Sequence, residues 1–254
     1  MSSVHRLLDR VSPVRKWLGV GLDLVFPPAC CYCHTQLESS ADGLLCLACR
    51  EELVDNRATC PRCGSGGLPN QASGTCLHCH DEKLYFDSVV RLGRYEGTLR
   101  TAVLRIKSQR HRALAIALGD LLASARCERL LSLEAEAIVP IPMHWSRRLW
   151  RGANSREVLG ERLASRLQLP LAAHLLARSR RTAPQASLPP TRRLANVRGA
   201  FRAGTHPELP GARLLLVDDI MTTGATVNEA AKTLTRAGAK VVAIIVLARA
   251  EGLG

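Results

Sequence analysis

Aromatic residues are scarce in this 254-residue sequence, which contains three each of tryptophan, tyrosine and phenylalanine. Proteins that bind single-stranded nucleic acid usually combine a basic groove with aromatic side chains on which bases stack. This sequence offers few aromatic side chains on which bases could stack. Trp145 and Trp150, which stand beside several arginines, are the best stacking candidates, although buried packing explains them at least as well.

Long apolar runs are also absent. No stretch approaches the roughly 20 apolar residues that a membrane helix needs. Residues 4–18 contain Arg6, Arg10, Arg15 and Lys16 and lack the apolar run of a secretory signal. We therefore expect a cytoplasmic protein without a membrane span.

Acidic residues are outnumbered, since 22 aspartates and glutamates stand against 35 lysines and arginines and give a formal charge of +13. The excess is concentrated between residues 142 and 202, where only Glu157 and Glu161 accompany a long series of arginines. Such an asymmetry indicates an anionic partner. An ordinary solvated arginine face is the alternative for any single member of the series. The length and the 46% hydrophobic content suit one α/β domain plus a smaller module.

Ten cysteines in a chain expected to be cytoplasmic favour metal binding over disulfides. Nearly all of them belong to two copies of one pattern, in which two Cys-x2-Cys pairs are separated by twelve residues. The first copy is Cys30, Cys33, Cys46 and Cys49, and the second is Cys60, Cys63, Cys76 and Cys79. Four thiolates form the tetrahedral set that zinc prefers and leave no position open for water. We therefore predict two structural zinc ions, one for each copy.

Several alternatives to this ligand assignment remain open from sequence alone. The four cysteine pairs could be interleaved, and Cys31 could replace Cys30, although the spacing favours Cys30. His78 and His80 flank the last pair and are interpreted as solvated neighbours. Cys127 lies in a helical pattern and is predicted to be a core residue.

The C-terminal part alternates short apolar runs with helical patterns, which is typical of βαβ units and a largely parallel sheet. The patterns predict strands at residues 88–95, 137–141, 213–217 and 241–247. They predict one or two helices within residues 98–131 and further helices at 155–167 and 225–237. Residues 178–202 contain Pro184, Pro189 and Pro190 and little periodicity, so a long loop is predicted there.

The most informative segment begins where the apolar residues 214–217 lead into Asp218 and Asp219. A turn follows that contains Thr222, Thr223, Gly224, Ala225 and Thr226, after which a helix begins. Turn amides, hydroxyls and a helix N-terminus attract phosphate, whereas the two acids suit the vicinal hydroxyls of a ribose. The segment therefore predicts a ribose 5-phosphate site. A capped helix start with solvated acids is the alternative, and the Lys-Ser/Thr ending of a nucleotide P-loop is missing.

Residues 215–226 resemble the phosphoribosyl-diphosphate motif of type I phosphoribosyltransferases. With the cysteine pairs ahead of it, the chain from about residue 26 to 250 resembles the ComF family, which includes ComFC and GntX-like proteins. Further matches are Lys107 in Leu-Arg-Ile-Lys, Val-Pro-Ile-Pro at 139–142, Arg-Gly-Ala-Asn at 151–154 and Arg-Leu-Ala-Asn-Val at 193–197. The chain has Ala153 and Ser155 where the family usually has an aromatic residue and a glutamine.

The resemblance implies an α/β fold, namely a type I phosphoribosyltransferase-like parallel sheet with helices on both faces, preceded by a small zinc-ribbon module. We expect an N-terminal segment at 1–25, a double zinc ribbon at 26–82 and a phosphoribosyltransferase-like domain at 83–254. The resemblance further implies that Asp218 and Asp219 hold the ribose hydroxyls while residues 222–226 surround the 5-phosphate. Lys107, Arg151 and Arg193 become candidate pyrophosphate contacts, and magnesium accompanies the ligand's own oxygens.

The same resemblance implies binding of phosphoribosyl diphosphate and a link to DNA uptake (competence) or nucleotide metabolism. One hypothesis is a phosphoribosyltransferase, a glycosyltransferase that transfers a pentosyl group. The sequence shows no segment that recognises an acceptor, and no catalytic residue can be named. The other hypothesis is a non-catalytic protein that handles single-stranded DNA together with competence proteins, or that senses the sugar diphosphate.

Overall fold

The structure is a computed structural model that describes residues 27–38, 43–67, 76–143, 155–183, 185 and 188–250. The expectations for the N-terminal segment 1–25, for Arg151 and for Trp145 and Trp150 lie outside these residues.

The described residues form the following elements, numbered in chain order. The strands are β1 (Ser88–Arg94), β2 (Ala137–Pro140), β3 (Leu176–Arg178), β4 (Phe201–Ala203), β5 (Arg213–Met221) and β6 (Lys240–Arg249). The helices are α1 (Leu47–Leu53), α2 (Gly97–Arg105), α3 (Arg112–Ala125), α4 (Cys127–Leu131), α5 (Ser155–Leu167), α6 (Pro190–Val197) and α7 (Ala225–Arg236). Short 3-10 helices occupy Gln109–His111 and Ala173–Leu175.

A four-stranded sheet in the order β1-β6-β5-β2 forms the centre of the larger domain, and all its neighbouring strands are parallel. A separate antiparallel pair joins β3 to β4. Strands β5 and β6 are buried along almost their whole length because helices or other segments cover both sides of a parallel sheet. Their carboxyl ends meet at one edge, which is where open α/β sheets bind ligands.

The two faces of this sheet bury different sets of apolar side chains. Leu215 and Val217 of β5 face a cluster that includes residues of α2, α3 and α5. Leu214 and Leu216 face the opposite cluster, which includes residues of α7 and Phe201 of β4. The predicted α/β fold, a parallel sheet with helices on both faces, is therefore confirmed.

The cysteine-rich module packs against the edge of the sheet and against α2. In its second half, Val89 N of β1 donates to Pro61 O at 3.1 Å, and a Cβ atom at Gly64 would lie 2.7 Å from Val89 Cγ1. Gly64 also has φ +70°, so both its conformation and its contact with β1 favour glycine. In the first half, Arg105 Nη1 of α2 donates to Tyr32 O at 2.8 Å, and its guanidinium lies 4.7 Å from the Tyr32 ring centre.

Three predictions about the helices, strands and loops need correction. Residues 178–202 are not one long loop, because α6 begins at Pro190 and β4 follows it; proline is well tolerated at the first position of a helix. Residues 98–131 form three helices rather than one or two, with a turn and a 3-10 helix after Arg105 and a further break at Arg126. Strand β5 continues to Met221 and does not end at residue 217, so Asp218 and Asp219 belong to the strand and do not follow it.

Candidate functional site

The predicted phosphate-binding turn lies at the carboxyl end of β5, directly before α7. Gly224 has φ +80°, a left-handed conformation that L side chains rarely adopt, and a Cβ atom there would lie 2.8 Å from Met221 Cε. Ala225 N donates to Thr223 Oγ1 at 3.4 Å. The turn therefore depends on glycine at this position and presents amides and hydroxyls beside the N-terminus of a 12-residue helix.

The two acids of the motif are buried at the end of β5, since Asp218 is 2% exposed and Asp219 is 7% exposed. Arg156, at the start of α5, pairs with both of them. Its Nε lies 2.5 Å from Asp218 Oδ1, and its Nη2 lies 3.4 Å from Asp219 Oδ1. Ser155 Oγ, at the position where the family usually has glutamine, lies 3.5 Å from Asp219 Oδ2. Asp218 Oδ1 also accepts a hydrogen bond from Asp219 N at 2.7 Å.

The electrostatics of this cluster separate the two acids. Burial raises the pKa of Asp218, and the charge of Asp219 adds to that rise, although Arg156 opposes it. Burial also acts to raise the pKa of Asp219, but the charges of Arg156 and Lys107 and a hydrogen bond with Asp218 outweigh it, so its pKa is lowered. The two acids also raise the pKa of Arg156 against the effect of its burial. At neutral pH the cluster therefore holds ionised Asp219 beside charged Arg156.

We expect this cluster to make the folded protein less stable as the pH rises above about 4, the ordinary pKa of an aspartate. Folded Asp218 keeps its proton to a higher pH than the unfolded residue, so the folded state binds more protons in that window and the free energy of unfolding falls with pH. Asp218→Asn stays neutral and removes this contribution. The melting temperature of Asp218→Asn minus that of wild type should therefore be larger at pH 8 than at pH 5. Scanning calorimetry of both proteins at the two pH values measures this difference.

The control for this comparison is Asp120→Asn, which removes a more exposed acid from its ion pairs with Arg162 and Arg166. The difference in melting temperature between Asp120→Asn and wild type should change less between pH 5 and pH 8. If the difference in melting temperature between Asp218→Asn and wild type stays constant between pH 5 and pH 8, the assignment of the raised pKa to Asp218 is contradicted.

The described pyrophosphate candidates occupy different surroundings. Lys107 follows α2 and lies close enough to Asp219 for its charge to lower the pKa of that acid. Arg193 lies on α6, where its Nε donates to Leu188 O at 3.1 Å. The backbone carbonyl of Arg193 accepts a hydrogen bond from Gln185 Nε2 at 3.2 Å. Gln185 Nε2 also donates to Thr226 Oγ1 at 3.2 Å. The structure thus brings Lys107 within electrostatic range of Asp219 and links Arg193 to the turn through Gln185.

Sequence reasoning missed Arg156 and Gln185 as members of the site. Arg156 looked like one more member of the arginine-rich stretch, although its position directly after Ser155 in the matched family segment was a usable signal. Gln185 fell in the segment interpreted as a loop, and Asn196 Nδ2 holds its side chain by donating to Gln185 Oε1 at 2.9 Å. Both residues are recognised by their contacts with the motif rather than by their own spacing.

The cysteines form two compact groups in chain order, which disagrees with an interleaved arrangement. The groups are Cys30, Cys33, Cys46 and Cys49, and Cys60, Cys63, Cys76 and Cys79, and within each group the sulfurs lie within 4.8 Å of one another. A tetrahedron with zinc–sulfur bonds of about 2.3 Å has edges of about 3.8 Å. The Sγ–Sγ separations are 3.7 Å for Cys33 and Cys46, and 3.8 Å for Cys63 and Cys76. The two tetrads therefore fit structural zinc.

The other candidate ligands lie outside these tetrads. His80 Nε2 pairs with Asp81 Oδ2 at 2.8 Å, and His78 belongs to neither group. Burial raises the pKa of Cys31 to about 11, which disfavours the thiolate that a metal requires. The prediction that Cys127 is a core residue is wrong, because its side chain is exposed at the start of α4.

Within the part of the chain that the structure describes, none of the helices combines the length and the apolar character needed to cross a membrane. This finding agrees with the absence of long apolar runs in the sequence.

The fold and the site together define a phosphoribosyltransferase-like protein that carries a double zinc ribbon. Residues 157–252 match the family model described as phosphoribosyl transferase domain, and residues 21–80 match the one described as double zinc ribbon domain. Competence protein F of Haemophilus influenzae is 31% identical over 87% of this chain and 96% of its own length. The chain therefore belongs to the ComF family, which confirms the resemblance found in the sequence.

The chain is also similar to a second curated protein and to part of a solved structure. DNA utilization protein YhgH of Salmonella typhi is 34% identical, and the match covers 89% of this chain and 99% of that protein. Among solved structures, the chain is similar to the glutamine phosphoribosylpyrophosphate amidotransferase from B. subtilis, with a TM-score of 0.37 and 21% identity over 54% of this chain and 26% of that one.

Proposed function

We propose that this protein binds phosphoribosyl diphosphate at the carboxyl edge of its parallel sheet. The observation that carries the proposal is one continuous arrangement, in which the buried acids of β5 lead into a turn with left-handed Gly224 and then into α7. In the proposed complex, the amides and hydroxyls of residues 222–226 hold the 5-phosphate. The phosphoribosyl transferase domain match over residues 157–252 supports the same ligand.

The two acids take different roles in this proposal. Asp219 is the more exposed acid and its lowered pKa keeps it ionised, so its carboxylate accepts hydrogen bonds from the ribose hydroxyls. Asp218 is almost fully buried and lies closer to Arg156 than Asp219 does. Its carboxyl group accepts a hydrogen bond from Asp219 N. We therefore assign Asp218 to holding Arg156 and the strand end in place, and Asp219 to contacting the sugar.

The pyrophosphate of the ligand needs positive charge on the other side of the sugar. We assign this role to Lys107, whose charge lowers the pKa of Asp219, with Arg151 and Arg193 as further candidates. Magnesium would bind through the oxygens of the ligand, with water completing its coordination shell. We also propose that each cysteine tetrad holds one structural zinc ion, which leaves the zinc without an open coordination position.

A transferase reaction at this site would form a bond between an acceptor nucleophile and C1 of the ribose, while the C1–O bond breaks and its electron pair leaves with pyrophosphate. Fixed cations next to the departing oxygens stabilise the charge that develops on them. The protein's own contribution would be to position the sugar and to neutralise that charge. No described residue is assigned as a general base.

The test separates binding from reaction. Zinc-loaded full-length protein is titrated with phosphoribosyl diphosphate and magnesium in a calorimeter, and the same mixture is then incubated with a panel of bases and amines while pyrophosphate release is measured. We expect binding with an affinity in the micromolar range, which corresponds to about 8 kcal/mol. Release with one acceptor makes the protein a transferase, whereas binding without release with any acceptor favours the non-catalytic alternative. Absence of binding heat would refute the proposed ligand.

The second candidate function is handling of single-stranded DNA by a protein that binds, or senses, the sugar diphosphate. Relatives carry the names competence protein and DNA utilization protein. Part of the positive charge in the arginine-rich stretch is paired with carboxylates within the protein, at Arg156, Arg162 and Arg166. Exposed arginines remain on and around α6 and β4, where they are accessible to a phosphate backbone: Arg181, Arg192, Arg198 and Arg202.

A further inference from the structure

Arg249 joins the second zinc ribbon to the phosphate-binding turn. It is the last residue of β6, and only 8% of its surface is exposed. Its Nε donates a hydrogen bond to Cys63 O at 3.2 Å, in the second cysteine tetrad. Its Nη1 donates to Met221 O at 3.3 Å and to Thr222 O, at the start of the turn. One guanidinium therefore holds two parts of the chain that lie far apart in sequence.

The hydrogen bonds from Arg249 constrain the direction of the turn amides. In a planar trans peptide the carbonyl and the N–H point in opposite directions, and the described residues contain no cis peptide bond. When the carbonyls of Met221 and Thr222 point towards Arg249, the N–H groups of Thr222 and Thr223 point away from it. Met221 O also accepts a hydrogen bond from Ala250 N at 2.8 Å, so the Thr222 amide is held by the sheet as well, and the Thr223 amide is the one that depends on Arg249. Both amides belong to the turn that we assign to the 5-phosphate, so their orientation is set before a ligand arrives.

The contact with Cys63 makes this orientation depend on the ribbon. Cys63 Sγ is a member of the second tetrad, and the backbone around it forms a tight turn in which Gly64 N donates to Cys60 O at 2.8 Å. The carbonyl of Cys63 stays beside Arg249 only while this turn is folded. The first ribbon contacts the larger domain elsewhere, where Arg105 of α2 donates to Tyr32 O.

We propose that Arg249 is a positioning residue for the phosphate-binding turn and that it couples the affinity of this turn to the integrity of the second zinc ribbon. The proposal rests on the proposed function, because the coupling concerns the same 5-phosphate site. It goes beyond that function by giving the second ribbon a direct effect on ligand affinity, whereas the first ribbon lacks that effect.

The first test measures the affinity for ribose 5-phosphate by calorimetry on the zinc-loaded full chain. Arg249→Met should weaken binding at least tenfold, about the effect of losing one charge-assisted hydrogen bond. Arg249→Lys keeps the charge, but a single ammonium does not reproduce the fork of the guanidinium, so its affinity should be intermediate. The matched control is Arg213→Met, because Arg213 at the opposite end of β5 also donates to backbone carbonyls, those of Leu133 and Glu134. Its affinity should equal that of wild type.

The second test is a double-mutant cycle that separates the two ribbons. Cys76→Ser removes a ligand of the second tetrad and should weaken ribose 5-phosphate binding in the wild-type background, with little further loss in the Arg249→Met background. Cys33→Ser removes a ligand of the first tetrad and should leave the affinity close to wild type in both backgrounds. Equal losses from the two cysteine variants, or additive losses with Arg249→Met, would overturn the coupling.

The outcomes also distinguish this inference from the proposed function. If wild type binds ribose 5-phosphate and Arg249→Met binds it equally well, the positioning role is refuted while the proposed ligand stands. If wild type binds neither ribose 5-phosphate nor phosphoribosyl diphosphate, the proposed function fails. Hydrogen exchange of the amides at 222–226 in the unliganded protein then tests the positioning role of Arg249. Exchange at least tenfold faster in Arg249→Met supports the positioning role, and unchanged exchange refutes it.

Discussion

Asp219→Asn should weaken binding of phosphoribosyl diphosphate by about 10- to 100-fold while leaving the fold intact. A carboxylate accepts hydrogen bonds from both hydroxyls of a ribose, whereas an amide offers one acceptor oxygen and loses the charge. Hydrogen bonds to charged groups contribute about 1.5–3 kcal/mol, which corresponds to this range of affinity. The charge of Asp219 is one cause of the raised pKa of Asp218, so Asp218 ionises more readily in this variant and remains, at 2.5 Å, the partner of the buried Arg156. Calorimetric titration of both proteins measures the change.

The chemically matched control is Asp120→Asn, which should bind the ligand like wild type. Asp219→Asn should also leave the affinity for a single-stranded oligonucleotide unchanged, and that affinity should fall steeply with added salt if exposed arginines hold the phosphate backbone. Simultaneous loss of sugar-diphosphate and DNA binding in Asp219→Asn would mean that the two ligands share one site. Unchanged sugar-diphosphate affinity would remove Asp219 from the ligand contacts.

Removal of zinc should unfold the second ribbon before the first. Within the described residues, the hydrophobic cluster of the second ribbon consists of Cys60, Cys63 and Cys79, with Cys76 and Leu84 packed against it. Metal binding contributes about 10–16 kcal/mol in small zinc-dependent modules, and little apolar burial would replace it here. In the first ribbon, by contrast, Cys30 and Cys49 belong to the large hydrophobic core of the protein. The same core contains three leucines of this ribbon, namely Leu37, Leu45 and Leu53.

Hydrogen exchange measured by mass spectrometry checks this order. After treatment with a zinc chelator, peptides covering residues 58–67 and 76–85 should exchange at least tenfold faster, and α1 should be affected less. Metal content measured by atomic emission should fall from about two ions per chain, as expected for two four-thiolate sites. Cys127→Ser serves as the control, because this exposed cysteine lies outside both tetrads and its loss should leave the zinc content unchanged. If the amides of these two peptides remain protected from exchange in the metal-free protein, the fold of the second ribbon does not depend on the metal.

The local features of this protein could be predicted from short stretches of sequence. The repeated spacing of the cysteine pairs indicates four-thiolate sites because each pair is a chelating turn, and that property depends only on neighbouring residues. The apolar run before Asp218 and the glycine-containing turn after it likewise predict a strand, a turn and a helix. Helix α5 was predicted with the bounds that the structure shows, Ser155–Leu167, because its apolar positions recur at helical intervals.

Other features depended on tertiary structure, because contacts between distant segments leave no periodic pattern in the chain. The parallel sheet places β1 next to β6, and the last residue of β6, Arg249, reaches both Cys63 and the phosphate-binding turn. The packing of α5 brings Arg156 to the acid pair. Burial there raises the pKa of Asp218, whereas for Asp219 the charge of Arg156 and the hydrogen bond with Asp218 outweigh burial and lower the pKa. Spacing alone thus determined the kinds of site that the chain carries. The folded structure decided which cysteines share a tetrad, which acid lies closest to Arg156 and which arginine donates hydrogen bonds to the turn.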